Sequence, residues 1–329
     1  MTSTTQTTAP AGAGIAPAPA GAARLSKRQL RKMHSTPKHL RSNLTAFLMI
    51  APLLILLAIF VIWPLVYAFY LSGYETYYNR PAEFVGLDFY KFVLTDPLFW
   101  SALWVGLKYS LLVVPTILVL SLLLASFIKT LSGKMAAILK TTVYVPAVVS
   151  VVLTGLVFVF MYQDSGVVNA FVGMFGIEPV AWLNNDSTVL AAISVPGIWL
   201  GFGISTLIML AALLDIPESY YEAASLEGAN WFQRTWYITI PMLKNVFLYL
   251  LVTGFTLAMQ EYLIPLIMTN GGPVNATTTT NLFIFNQFRD TSAFAFTYSI
   301  TAALILFVVL GLLSLLIFKA IKSDKAVDG

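Results

Sequence analysis

Long apolar stretches without charged residues alternate along this chain with shorter polar segments. Six such stretches are present: residues 42–74, 97–128, 141–163, 187–214, 245–268 and 291–318. Within them, only Lys108 and Glu261 carry a charge. A membrane-spanning α-helix needs about 20 apolar residues. The pattern therefore predicts an all-α integral membrane protein with six transmembrane helices.

Composition supports this prediction and excludes several kinds of site. Of the 329 residues, 58% are hydrophobic and 10% are charged, whereas a soluble domain has about 25% charged residues. The chain contains no cysteine, which excludes a thiolate metal site and a cysteine nucleophile. Its two histidines, His34 and His39, lie in a basic N-terminal segment. We therefore predict no metal site and no catalytic residue in this chain.

The distribution of basic residues predicts the orientation. The segment from Arg24 to Arg41 carries seven Lys or Arg residues and no acid, a composition that suits either nucleic acid or anionic lipid. The apolar stretch that follows at once favours lipid, so we expect no nucleic-acid partner. With the N terminus inside, fifteen Lys and Arg lie on the cytoplasmic side and three in the outer loops. Both termini are therefore predicted to be cytoplasmic.

These boundaries give a simple domain plan. Residues 1–42 are predicted to be a disordered and basic cytoplasmic tail, and 43–99 the first transmembrane helix with its outer loop. Residues 100–320 form the transmembrane core, and 321–329 a cytoplasmic C-terminal tail. Inside the core, residues 215–244 form a polar connection between the fourth and fifth spans, which we call the insert.

The insert is predicted to contain two short helices. Pro217 suits the first turn of a helix, because the N–H that it lacks has no helical partner there. The first helix is expected from Ser219 to Glu227, and Gly228 can end it in a left-handed conformation. A second helix is expected from Trp231 to Ile240, before the fifth span.

The insert also carries a motif of fixed spacing. Three residues separate Glu222-Ala223-Ala224 from Gly228, and nine residues separate Gly228 from Ile238-Thr239-Ile240-Pro241. This pattern resembles the EAA signature of ABC importer permeases. Other segments resemble sugar-uptake permeases of the maltose-permease F or glycerol-phosphate-permease A type: Val85–Tyr90, Asp96-Pro97, Gly166–Asn169, Trp182-Leu183 and Gly271–Pro273. The resemblance implies a type I importer permease fold with a cytoplasmic coupling helix.

The resemblance also implies partners and a location. Such a permease pairs with a second permease subunit as a heterodimer, two cytoplasmic ATPase subunits and an external solute-binding protein, in a bacterial or archaeal cytoplasmic membrane. ATP and magnesium would be bound by the ATPase, so no cofactor is expected in this chain. The substrate would be a sugar, oligosaccharide or polyol phosphate. The residues expected to couple to the ATPase are Glu222, Ala223, Ala224, Gly228 and Pro241.

Polar and aromatic residues within or beside the spans are candidates for the substrate path. They are Lys108, Tyr109, Gln260, Glu261, Tyr262, Asn286 and Gln287. Charges inside a membrane commonly pair or line a polar cavity. Lys108 and Glu261 both fall in the outer half of the bilayer, at a rise of ~1.5 Å per residue. They therefore either pair with each other or reach the outer surface separately.

Two other functions are alternatives to the importer. A secondary transporter or channel would show an internal repeat or a line of charges through the spans. A membrane-embedded enzyme would need clustered acid–base residues at one face, and none is evident in the sequence. Nucleotide hydrolysis by the chain itself is excluded by its motifs, because Gly133-Lys134 lacks the earlier glycine and the following Ser or Thr of a phosphate-binding loop.

Overall fold

The computed structural model describes residues 38–75, 81–292 and 294–322. Apart from one two-stranded hairpin, the regular structure in these ranges is helical. The helices are α1 (Lys38–Leu57), α2 (Trp63–Leu71), α3 (Asp88–Thr95), α4 (Pro97–Thr130), α5 (Gly133–Tyr144), α6 (Val151–Met161), α7 (Val167–Gly173), α8 (Asp186–Leu214), α9 (Glu218–Leu226), α10 (Trp231–Arg234), α11 (Ile240–Met242), α12 (Lys244–Met259), α13 (Leu263–Met268), α14 (Thr280–Arg289) and α15 (Ala295–Lys322). The strands are β1 (Tyr74–Glu75) and β2 (Glu83–Phe84), paired antiparallel.

Five helical segments in the described residues are long and apolar enough to cross a membrane. They are Phe47–Leu71, Pro97–Thr130, Asp186–Leu214, Lys244–Met268 and Ala295–Ile321. The bent pair Gly133–Val148 and Val151–Met161 makes a sixth if it is counted as one span. The all-α membrane fold predicted from the apolar stretches is therefore confirmed.

The chain divides into two units, Met1–Pro64 and Leu65–Gly329. In the first unit, α1 begins at Lys38, before the predicted start of the first span, and continues through a π-helical turn at Ala58–Ile62. The predicted tails, 1–42 and 321–329, lie outside the described residues except for 38–42 and 321–322.

The third predicted span, residues 141–163, is not one continuous helix. It starts earlier, at Gly133, and consists of α5, a 3₁₀ turn and α6, with a bend of 94° between the two helical parts. Pro146 has no N–H to offer the carbonyl of Thr142, which accepts from the N–H of Val145 instead and tightens the chain into the 3₁₀ turn. Val149 and Ser150 then adopt extended backbone and end the helix.

The fifth predicted span, 245–268, is also interrupted. Helix α12 ends at Met259 and α13 starts at Leu263. Pro265 cannot donate a backbone hydrogen bond to the carbonyl of Glu261, four residues earlier. That carbonyl accepts from the Thr279 hydroxyl at 2.6 Å. The Glu261 carboxylate accepts from the N–H of Ile264 at 3.0 Å, so Glu261 caps α13 with its side chain.

Close contact between α4 and α8 organises the second unit. Gly197 and Gly201 present the same face of α8, one turn apart. A Cβ at Gly197 would meet the Tyr109 hydroxyl, and one at Gly201 would lie 2.8 Å from Cδ1 of Ile117. The Ser121 hydroxyl also donates to the Phe202 carbonyl of α8 at 3.1 Å. Small residues therefore let these two spans approach closely.

We predict that this close packing makes Gly203 intolerant of a side chain. A Cβ at Gly203 would meet the Val143 carbonyl oxygen, so Gly203→Ala should lower the free energy of unfolding by about 1–3 kcal/mol. The matched control is Gly311→Ala in α15, where a Cβ would meet nothing within 4 Å and stability should be unchanged or rise by up to about 1 kcal/mol. Thermal unfolding of the purified variants in detergent tests the difference, and equal effects of the two changes would contradict it.

Candidate functional site

The insert begins with helix α9. It covers Glu218–Leu226, one residue earlier at each end than predicted, and Pro217 precedes the helix instead of lying in its first turn. The helix ends as expected, because Gly228 adopts a left-handed backbone with φ of +79°. Such a conformation favours glycine, which has no Cβ to clash with the backbone.

The second half of the insert is helical but not one regular α-helix. Asn230 starts α10 with a capping box, in which its side chain accepts from the N–H of Gln233 and the Gln233 side chain accepts from the N–H of Asn230. The predicted helix from Trp231 to Ile240 contains a π-helical stretch at Thr235–Thr239 and continues into α11.

Side-chain contacts tie the two halves of the insert together. The hydroxyls of Tyr221 and Thr239 lie 3.0 Å apart. Arg234 donates from Nη1 to Oγ of Ser225 at 3.0 Å, and that hydroxyl donates to the Tyr221 carbonyl. The insert is therefore a pair of helical segments braced by side-chain hydrogen bonds.

The residues of the predicted coupling motif lie on the outside of this brace. Glu222, Ala223, Gly228 and Pro241 are exposed, and Ala224 is half-buried. Glu222 makes no hydrogen bond or ion pair with the described residues. A Cβ at Gly228 would meet nothing within 4 Å. The motif thus presents a free carboxylate beside a shallow, small-residue surface.

A cavity of about 600 Å³, which we call the central cavity, lies among α4, α8 and α12. This volume falls in the range of small-molecule sites. Its lining is mostly apolar, and its polar members come from all three helices and the break after α12. They are Tyr109, Ser205, Tyr249, Thr253, Thr256 and Glu261.

Of the predicted substrate-path residues, the structure brings Tyr109 and Glu261 together at this cavity. Tyr262 lies elsewhere, at a second cavity of about 280 Å³ that Asn281 also lines. Gln260 joins the two regions, because its carbonyl accepts from Asn281 at 2.8 Å while its side chain donates back to α12.

The remaining candidates do not line these two cavities. Asn286 is exposed and Gln287 half-buried on α14. Lys108 is exposed on α4, with Nζ 5.7 Å from the centre of the Trp104 ring. No ion pair joins Lys108 to Glu261, whose carboxylate caps α13. The structure therefore favours the separate placement of these two charges over their pairing.

Two groups of polar residues, whose hydrogen-bonding role the sequence did not indicate, shape the end of the protein opposite the insert. Thr277 to Thr280 are buried, and their hydroxyls satisfy backbone carbonyls of the predicted turn after α13, of Glu261 and of Ala102 in α4. Asn169 is also buried and bonds to Gln163, Val180 and Trp182. The run of four threonines was the available signal for the first group.

The chain is similar to known transport proteins. Residues 20–325 match the family described as "Binding-protein-dependent transport system inner membrane component". The chain is 34% identical over 248 residues to the sulfoquinovosyl glycerol transport system permease protein SmoG of Agrobacterium fabrum, covering 74% of this chain and 80% of that protein. It is 30% identical over 290 residues to the lactose transport system permease protein LacF of Rhizobium radiobacter, covering 86% of this chain and 96% of that protein.

Solved structures show the same fold. A chain of a bacterial ABC transporter involved in the import of the acidic polysaccharide alginate superposes with a TM-score of 0.69 at 20% identity, over 88% of this chain and 99% of that chain. The importer-permease fold and the resemblance to carbohydrate-uptake permeases are thereby confirmed. The family match favours the function of an importer permease over that of a secondary transporter, a channel or a membrane enzyme.

The separate placement of Lys108 and Glu261 predicts independent energetic effects. Glu261→Ala should lower the free energy of unfolding by about 1 kcal/mol, because it removes the acceptor for the N–H of Ile264. Lys108→Met, at an exposed position, should change it by less than about 0.5 kcal/mol. Thermal unfolding of the single and double variants should give effects that add within about 0.5 kcal/mol. A larger coupling energy would show that the two residues interact.

Proposed function

The chain belongs to the family of binding-protein-dependent transport system inner membrane components, and from this premise we propose that it carries a neutral sugar or oligosaccharide across the membrane by alternating access, driven by a separate ATPase. The observation that carries the proposal is the braced insert, which presents the EAA motif on its exposed side while its ends continue directly into two walls of the central cavity.

The insert supports coupling to an ATPase. Glu222 offers an unpaired carboxylate, Ala223 and Ala224 keep the helix surface shallow, and Gly228 allows another backbone to approach closely. Pro241 is also exposed. In the proposed mechanism, two cytoplasmic ATPase subunits bind ATP and magnesium and close on each other. Their closure pushes the insert and shifts the spans as rigid bodies.

The cavity supports pairing with a second permease subunit. Some of its lining residues are open to the outside of this chain, including Leu257 at 71% exposure and Tyr249 at 56%. A path that excludes lipid needs another wall over these residues. A second permease in a heterodimer would supply it. The orientation with both termini in the cytoplasm then places the insert beside the ATPase, and an external binding protein delivers the substrate at the opposite face.

The lining favours a neutral carbohydrate over a polyol phosphate. No Lys or Arg lines the 600 Å³ cavity among the described residues, and its charged member is Glu261. A carboxylate accepts hydrogen bonds from sugar hydroxyls but repels a phosphate. One named relative, LacF, is a permease for lactose, which is a neutral sugar. Sulfoquinovosyl glycerol, named for SmoG, is an anionic sulfonate, so the preference for a neutral substrate rests on the cavity lining and not on that relative. Purifying the binding protein that functions with this chain and measuring its affinity for lactose, trehalose and glycerol 3-phosphate tests this preference.

We predict that Gly228→Asp prevents coupling without preventing insertion into the membrane. The added side chain occupies the surface where the ATPase would approach. Co-purification of the ATPase should fall by more than about tenfold, which corresponds to ~1.4 kcal/mol of binding free energy. ATP-driven sugar uptake in reconstituted vesicles should fall with it.

The matched control is Gly176→Asp, at the opposite end of the bundle. Gly176 also has a left-handed backbone, with φ of +75°, and a Cβ there would likewise meet nothing within 4 Å. It therefore reproduces the backbone strain without altering the insert. Normal ATPase binding and uptake by the Gly228 variant, or equal losses in both variants, would contradict the coupling assignment.

A further inference from the structure

The last turn of α4 contacts the first turn of the insert helix α9. Lys129 places Nζ 3.5 Å from Oε2 of Glu218 and 4.3 Å from the centre of the Tyr221 ring. Its side chain is 22% exposed, whereas that of Glu218 is 67% exposed. Glu218 and Tyr221 are three residues apart, so they present one face of the helix to the ammonium group.

This contact fixes a position more than it adds stability. An exposed ion pair contributes little by itself, since water and salt screen it. The ammonium group over an aromatic ring adds a second attraction with its own geometric requirement. Together the two groups hold Lys129 between them, on the side of α9 opposite the exposed Ala223, whereas the exposed Glu222 follows Glu218 by one helical turn.

The contact reaches the whole insert. Tyr221, whose ring lies against Lys129, also places its hydroxyl 3.0 Å from the hydroxyl of Thr239 in the second half of the insert. Because this contact joins the two halves of the insert, a displacement of either half would also move the Tyr221 ring against Lys129.

The helix that carries Lys129 differs from the other walls of the cavity. Helices α8 and α12 are joined to the insert by the chain itself, at Leu214 and Lys244. Helix α4 has no such covalent connection, yet it contributes Tyr109, Val113 and Leu118 to the cavity. At ~1.5 Å per residue, Leu118 lies about 17 Å and Tyr109 about 30 Å along the helix from Lys129.

We propose that Lys129 is the positioning residue that ties the insert directly to the nearby end of α4, in addition to the packing of α4 on α8, so that this wall of the cavity moves together with α8 and α12. This assignment rests on the proposed coupling of the insert to an ATPase. It adds a specific link between the insert and a cavity wall that the chain does not connect to it directly.

Distance measurements between spin labels test the link directly. The chain contains no cysteine, so labels can be introduced at Ser219 of α9 and Leu123 of α4, both of which are exposed. In the complete transporter with unaltered Lys129, their separation should stay within about 1 Å between the nucleotide-free state and the state trapped with Mg·ATP and vanadate. In Lys129→Met, the separation should change by about 2 Å or more, the scale of helix shifts in such transitions.

Two further variants separate the charge contact from general effects on structure. Lys129→Arg keeps the cation and should restore the constant separation. Lys134→Met removes a nearby exposed lysine outside the contact and should also leave it constant. If Lys129→Met does not assemble, Glu218→Gln removes the ionic partner of the ammonium group, keeps the contact between Tyr221 and Thr239, and gives the same comparison.

A second pair of labels, at Ser219 and at Phe171 of α7, reports whether nucleotide moves the insert at all. A change in this distance, with a constant Ser219–Leu123 distance in Lys129→Met, would overturn the link while leaving the proposed function intact. A Ser219–Phe171 distance that Mg·ATP and vanadate leave unchanged would overturn the proposed coupling, and the link with it. If the Lys129 contact only stabilised the fold, Lys129→Met would be obtained in lower yield but would show no nucleotide-dependent change in the Ser219–Leu123 distance. That result would also contradict the proposal.

Discussion

A membrane provides no water to satisfy backbone N–H and C=O groups, so each interruption of a span must find its hydrogen bonds within the protein. The architecture of this chain depends on that constraint at Pro265. The carbonyl of Glu261 has lost its helical donor there, and the Thr279 hydroxyl replaces it. The same break turns Glu261 into the cap of α13 and places it at the edge of the central cavity. One backbone requirement thus fixes both the packing of the loop after α13 and a charged group at the cavity.

The threonine row extends this principle across the end of the bundle opposite the insert. Buried hydroxyls from Thr277 to Thr280 bind carbonyls in three different segments, and Asn169 does the same for the loop before α8. Buried polar groups are costly unless they are satisfied, and fully satisfied networks specify one arrangement. This end of the protein is therefore held by many short polar contacts, while the insert end presents exposed residues and the contacts that join its two halves.

The central cavity shows how small residues create the space and the contacts of the site together. Gly197 and Gly201 let α4 and α8 approach closely, and Gly197 leaves room for the Tyr109 side chain that reaches the cavity. The helices α8 and α12 then continue directly into the insert, so the exposed motif and two walls of the cavity are connected through the same helices.

The sequence by itself determined the helical membrane fold, the positions of the polar insert and of Gly228, and the family, because apolar length and a fixed motif spacing are local properties of the chain. It also identified Tyr109 and Glu261 as residues of interest. It did not reveal the bend at Pro146 or the break at Pro265, although both prolines were visible, since whether a lost hydrogen bond kinks a span depends on the groups packed around it. Only the tertiary structure decided that Lys108 and Glu261 lie apart, that Thr279 completes the break, and that Lys129 meets Glu218 and Tyr221. Those outcomes depend on which faces of distant helices meet, and spacing along one chain does not encode that directly.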